Sequence, residues 1–313
     1  MADHSLFDLT EKKALVTGGA VGIGRACAVA LARAGADVAV ADLNEDAGKQ
    51  TAAEIQSLGV DSLFVPCDVT NKQEVQGMAR RVAEQFGQLD VAVNNAGIAI
   101  LGADEELEQS DWDKVVAVNL TGTFLSAQAE AQQMMKQTPT EGKIINIASM
   151  SATITNCNAS YDASKAGVVH MTRTLAAEWG GFNINVNCIS PSYVLTPMHA
   201  STPVAVRERI RELTPLGHVE RPEDLHGAVV FLASSASNYV TGLDLKVDGG
   251  HTLNAWLTPL GRTVPPRVNP DEETVQLKHD LGVLGVSYDQ DGINPEFHPE
   301  IADAFKAAFG LQE

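Results

Sequence analysis

The stretch ALVTGGAVGIGRACAVALARAG, residues 14–35, joins a short apolar run to an amphipathic one through a glycine-rich turn. The first four residues are too few for a helix and suit a strand covered on both faces. Beyond the turn, Ala26, Val29, Ala30 and Arg33 recur at three-to-four spacing, and Gly35 supplies a helix stop. Between the two, Gly18, Gly22 and Gly24 let the backbone turn tightly and approach a pyrophosphate, whose charge the free N–H groups of a helix N-terminus stabilise. The same alternation repeats outward from this turn. DVAVAD (37–42), SLFVPCD (62–68), LDVAVNNAG (89–97), KIINIAS (143–149), INVNCIS (184–190) and LDLKVDGG (243–250) read as strands, with helical patterns between them. Strands alternating with helices imply right-handed crossovers and a doubly wound parallel sheet of seven strands, an α/β fold.

The 313 residues carry 40 acidic and 22 basic side chains, a formal charge of -18. Such a field repels phosphate backbones and anionic headgroups, and no local basic patch offsets it, so neither nucleic acid nor membrane is an expected partner. Cys27, Cys67, Cys157 and Cys188 lie far apart with no CxxC pair, which is neither a disulfide framework nor a zinc site. The N-terminus MADHSLFDLTEKK lacks a basic then apolar leader, and no run approaches ~18 apolar residues, so the expected location is the cytoplasm. After Gly250 the character changes: six of the thirteen prolines fall in the last 55 residues. Residues 251–313 read as an extension with short helices at 271–281 and 299–309, the alternative being a disordered tail. Trp256, Leu277, Phe297, Ile301, Phe305 and Phe309 favour a segment that packs on the domain or on a neighbouring subunit.

Asp42 ends the second strand 24 residues after Gly18, where a carboxylate can accept hydrogen bonds from both hydroxyls of an adenosine ribose. Leu43 rather than an arginine follows it, and no Lys or Arg lies within 17–24 to neutralise a 2′-phosphate, so NAD is expected over NADP. Asp68 closes the third strand and Asn95, Ala96 and Gly97 close the fourth, at the strand ends where nucleotides bind in open α/β sheets. For Asp68 a helix N-cap role competes, and Thr70 competes for that cap. Tyr161 and Lys165, four apart, share one face of a helix that continues through 166–179. An adjacent ammonium and a cationic nicotinamide favour the phenolate and should lower the tyrosine pKa toward working pH, making a proton donor and acceptor. Ser149 ends the fifth strand at the same crevice, and Asn119 interrupts a helical pattern over 110–136, where it could hold a water between Lys165 and solvent. The lysine and tyrosine supply the polarisation, so no metal is required.

TGGAVGIG (17–24), NNAG (94–97), Asn119, Ser149, YDASK (161–165) and VDGG (247–250) together resemble the short-chain dehydrogenase/reductase family over residues 8–250. The resemblance implies a Rossmann fold of strand order 3-2-1-4-5-6-7, a catalytic tetrad of Asn119, Ser149, Tyr161 and Lys165, and a homodimer or homotetramer. It implies that Lys165 binds the nicotinamide ribose, that Ile23, Asp68, Val69 and Asn95 touch the cofactor, and that Val194 and Thr196 meet the carboxamide. Two departures stand out. Ser149 and Tyr161 are 12 apart, which keeps Ser151 as an alternative serine, and the family's Pro-Gly-x-Val is Pro-Ser-Tyr-Val at 191–194.

The residues between Ser149 and Tyr161 include Ser151, Thr153, Thr155, Asn156, Asn158 and Ser160, donors and acceptors that suit a small polyhydroxylated substrate. With Tyr193 and His199, the expected substrate contacts are Ser149, Ser151, Asn156 and Tyr161. These point to a polyol or sugar dehydrogenase of carbohydrate metabolism. The alternatives are a reductase of 3-oxoacyl thioesters or other carbonyls, and a nonenzymatic dinucleotide-binding sensor or scaffold.

Overall fold

The structure, a computed structural model, describes residues 4–199 and 202–253, together with the backbone of two short strands, Tyr288–Asp289 and Gly292–Ile293, which pair with each other. The remainder of the extension, including the helices expected at 271–281 and 299–309, lies outside the described residues.

Seven parallel strands form one sheet: β1 Lys13–Thr17, β2 Asp37–Asp42, β3 Ser62–Pro66, β4 Val91–Asn94, β5 Gly142–Ile147, β6 Ile184–Pro191 and β7 Asp244–Val247. Their order is β3-β2-β1-β4-β5-β6-β7, the Rossmann order expected from the resemblance. Most strands are shorter than their apolar runs. The excess residues, such as Asn95 to Gly97 beyond β4, emerge past the sheet as loops. The helices are α1 Gly22–Arg33, α2 Glu45–Ser57, α3 Lys72–Phe86, α4 Gln109–Val116, α5 Thr123–Met134, α6 Ala159–Trp179, α7 Val204–Leu213 and α8 His226–Ala233. Among the described residues no helix is long and apolar enough to cross a membrane.

Alternate residues of each strand serve opposite layers, as the two-residue side-chain period requires. Ala14, Val16, Val38 and Val40 pack with α1, α2 and α8, whereas Leu15, Ala39 and Ala41 pack with α3, α5 and α6. Three helices are capped in the same way: Asn44, Asn71 and Asn158 each accept a backbone N–H of the first turn. Asn71 therefore caps α3, and neither Asp68 nor Thr70 does. The Asp68 carboxylate instead accepts the N–H and hydroxyl of Thr70, closing a turn before the helix.

A polar chain crosses the core behind the crevice. Asn94 of β4 donates to Glu130 of α5 and to Asn146 of β5, and Asn146 donates to Thr172 of α6. Glu130 is fully buried with one oxygen unpartnered, and burial pushes its carboxyl up to about 8. Between the ordinary carboxyl range and pH 8, the unfolded chain has lost this proton while the folded chain still holds it. Stability must fall as pH rises through that window. Glu130→Gln should match the wild type in unfolding free energy from urea titration at pH 5 and exceed it at pH 9 by about 4 kcal/mol. Parallel decline of both proteins from pH 5 to 9 would refute a buried acid here.

Candidate active site

The strand order reverses beside β1, whose neighbours are β2 and β4, and a crevice opens there at the C-terminal strand ends. A cavity of about 540 Å³ occupies it. Helix α1 points its N-terminus at this cavity and differs from the capped helices. Val21 precedes it without a side-chain cap, and its first turn holds no acid. Its leading N–H groups are left for an outside acceptor. Gly18 has φ +61°, and a Cβ there would lie 2.8 Å from the Ala96 Cα; at Gly24 a Cβ would stand 2.0 Å from the Gly18 carbonyl oxygen. The loop thus requires glycine both for its turn and for the contact of helix and strand. Asn95 props it by donating to the Gly18 carbonyl at 2.8 Å, while its own N–H binds the Thr17 hydroxyl.

Asp42 accepts N–H bonds from Ala20 at 3.0 Å and Asn44 at 2.9 Å, so one carboxylate ties the turn to the end of β2 while lining the cavity. Leu43, largely exposed, lines it too. The wall also includes Gly18, Gly22, Ile23, Asp68, Val69, Asn95, Ala96, Gly97, Val194 and Thr196, with Thr196 beside Gly22. Gly24 lies behind the wall. An uncapped helix end, a glycine turn and a carboxylate at the end of β2 fit a dinucleotide. Among the described residues no group of three His, Cys, Asp or Glu side chains is placed to hold a metal ion.

Ser149, Tyr161 and Lys165 meet on the cavity wall. Ser149 stands just past β5, Tyr161 is in the first turn of α6, and Asn158 accepts the Tyr161 N–H as the cap. One turn on, the Lys165 ammonium reaches back over the Tyr161 ring, 5.6 Å from its centroid, and donates to the Ile147 carbonyl at 2.8 Å. Burial pushes Lys165 down to about 8. Burial likewise raises the Tyr161 phenol above its ordinary value, with Ser149 hydrogen bonding pulling it down and Asp162 adding to the rise. The lowering expected from the ammonium is therefore not achieved by the protein alone, because desolvation is the largest influence on the buried phenol.

Asn119 lies in a π-helical turn, Ala117–Gly122, that separates α4 from α5 where the interruption was expected. Its side chain is fully buried, accepts the Ile98 N–H at 2.8 Å, and donates to the Ile98 carbonyl and to Ser164. It pins the loop that carries Gly97 past Lys165.

The substrate residues divide. His199 joins Ser149 and Tyr161 on the wall. Burial pushes His199 down to about 4, and its Nδ1 lies 3.0 Å from the Val194 carbonyl. A carbonyl only accepts, so the proton is on Nδ1 and Nε2 is an acceptor. Ser151, Asn156 and Tyr193 are not brought to the wall among the described residues. Ser151 is buried and gives its N–H to Ser149, which leaves Ser149 alone in the serine position. The Asn156 N–H binds Asp162, and Tyr193 pairs with Thr202 and packs on His199. Asn158 and Ser160 are likewise engaged at the start of α6. These polar residues build the helix start rather than a wet pocket, and Ile98, Pro197 and Met198 line the cavity there. Lys114 of α4, on the wall, was not foreseen, because nothing in an exposed helix pattern tells which lysine faces a crevice.

A family profile described as Enoyl-(Acyl carrier protein) reductase matches residues 18–252. A solved short-chain type dehydrogenase/reductase from Mycobacterium marinum superposes with a TM-score of 0.75 at 41% identity, over 79% of this chain and 98% of that one. The chain belongs to the short-chain dehydrogenase/reductase family. Within the family it is similar to D-threitol dehydrogenase of Mycolicibacterium smegmatis, 42% identical over 249 residues that make up 79% of this chain and 95% of the relative. The NAD-dependent glycerol dehydrogenase of Listeria innocua is 38% identical over 79% of this chain and 96% of its own length. As a short-chain dehydrogenase/reductase, the protein is an oxidoreductase acting on alcohol CH–OH groups through a nicotinamide dinucleotide.

Proposed function

We propose that the protein is an NAD-dependent dehydrogenase interconverting a secondary alcohol and its ketone, with a polyol or sugar as substrate. The observation that carries the chemistry is the convergence of Ser149, Tyr161 and Lys165 on one cavity wall. When bound, the nicotinamide takes or gives the hydride. Tyr161 takes the carbinol proton on its phenolate oxygen during oxidation and returns it during reduction. Ser149 donates to the substrate oxygen, and Lys165 favours the phenolate as the site gains positive charge. Asn119 acts at one remove, holding the backbone at Ile98. The polyol reading is supported by the threitol and glycerol dehydrogenase relatives and by the His199 acceptor. The apolar wall at Ile98, Pro197 and Met198 favours a second reading, a cyclic or simple secondary alcohol. We read residues 8–250 as the dehydrogenase domain of a cytoplasmic homodimer or homotetramer, with 251–313 packing on it or on a neighbour.

Cofactor preference follows from Asp42, which a 2′-phosphate would meet as like charge. Reduced-nicotinamide absorbance with NAD or NADP against threitol, glycerol, longer polyols and cyclohexanol tests both parts. NAD-dependent turnover of polyols is expected, and turnover of cyclohexanol alone would select the second reading. Asp42→Ala should raise KM for NAD about 10–100-fold and narrow the preference over NADP, as losing charge-assisted hydrogen bonds implies. An unchanged preference would remove Asp42 from cofactor selection.

A further inference from the structure

Past β6 the chain runs through Pro191, Ser192, Val194 and Thr196 along the cavity wall, then leaves through α7 and returns at residue 220. Two links tie the departing segment to the returning one. The Ser192 N–H donates to the Glu220 carboxyl at 2.6 Å, and the Leu195 N–H donates to the Glu220 carbonyl at 2.9 Å, the bond that pairs Val194 with Glu220 in a parallel bridge. Glu220 is only 7% exposed, and its second carboxyl oxygen is buried without a partner. A charged side chain at such a position needs a reason, because a surface loop could be closed by backbone pairing alone.

We propose that Glu220 is a positioning residue: its carboxyl, through Ser192 and the pairing at Val194 and Leu195, sets where Val194 and Thr196 stand in the cavity wall. The proposal rests on the reading of that wall as the nicotinamide end. Glu220 touches neither cofactor nor substrate and acts only through this segment. The charged groups facing it are Asp224, in the turn Pro222–Leu225, and Asp248, in the turn after β7. Arg221 is directed at Asp224. Burial and these two acids push Glu220 up to about 9, so the carboxyl is held neutral through the physiological range. The Ser192 N–H bond works the other way, favouring the charged form, so burial and the two acids outweigh it.

Two variants test this, both in the full chain. Glu220→Ala removes the acceptor, while Glu220→Gln keeps an acceptor and never ionises. In Glu220→Ala, amide hydrogen exchange over residues 190–196 should quicken at least tenfold with exchange in β4 and β5 unchanged, and NADH should bind about tenfold more weakly by fluorescence. Glu220→Gln should restore both readings at pH 7. Unchanged exchange at 190–196 in Glu220→Ala would overturn the proposal, as would failure of Glu220→Gln to restore exchange and NADH affinity at pH 7. Slowing of exchange at 192–196 by added NADH in the wild type tests the nicotinamide reading on its own.

Discussion

Tyr161→Phe should bind NADH with nearly wild-type affinity and lower kcat by about 10²–10⁴-fold, the range that a positioned general acid or base contributes. Phenylalanine fills the same space in the first turn of α6, so Asn158 still caps the helix and Lys165 still reaches Ile147. Only the proton carrier is lost. The phenol of the protein alone sits above its ordinary value, and the neighbouring lysine is pushed down to about 8. Both groups are therefore set by burial in a direction that added positive charge reverses for the phenol. Single-turnover kinetics with bound NAD and excess alcohol would separate this step from binding. Hydride transfer at the wild-type rate in Tyr161→Phe would move the proton transfer to another group, with His199 the next candidate on the wall.

Gly24→Ala should weaken dinucleotide binding by two orders of magnitude or more and lower the urea midpoint as well. The added methyl would stand 2.0 Å from the Gly18 carbonyl oxygen and 2.5 Å from the Asn95 amide nitrogen, on the hydrogen bond that props the loop. Backbone cannot yield as a flexible side chain does. Helix α1 must shift away from β1, carrying its uncapped N–H groups with it, and overpacking of this kind costs about 1–3 kcal/mol before any ligand is considered. Gly102→Ala is the control, since a Cβ there meets nothing within 4 Å. NADH fluorescence titration and urea unfolding of the two variants check the prediction. Equal binding by Gly24→Ala and wild type would mean that the dinucleotide does not use this helix end.

Much of this site could be read from spacing because its parts are local. A glycine turn between a strand and a helix, a carboxylate at the next strand end, and Tyr161 with Lys165 one helical turn apart each need only their neighbours in sequence. The interruption at Asn119 was also readable, since a helical pattern that runs too long with an asparagine in it marks a break. The polar run from Ser151 to Ser160 misled for the converse reason. A serine or asparagine serves equally well in a pocket or at a helix start, and here Asn158 and Ser160 serve α6.

The sequence by itself determined the alternation of seven strands with helices, the cofactor turn and the tyrosine-lysine pair, because hydrophobic period and glycine geometry act over a few residues. Tertiary structure alone decided which polar groups lose their water. Glu130 and Glu220 look like any surface glutamates in the chain, and only the packing of distant segments around them makes one a buried acid behind β4 and the other a link between residues 192 and 220. Burial is a property of what surrounds a residue in space, and it is burial that sets the charge states of Glu130, Tyr161, Lys165 and Glu220.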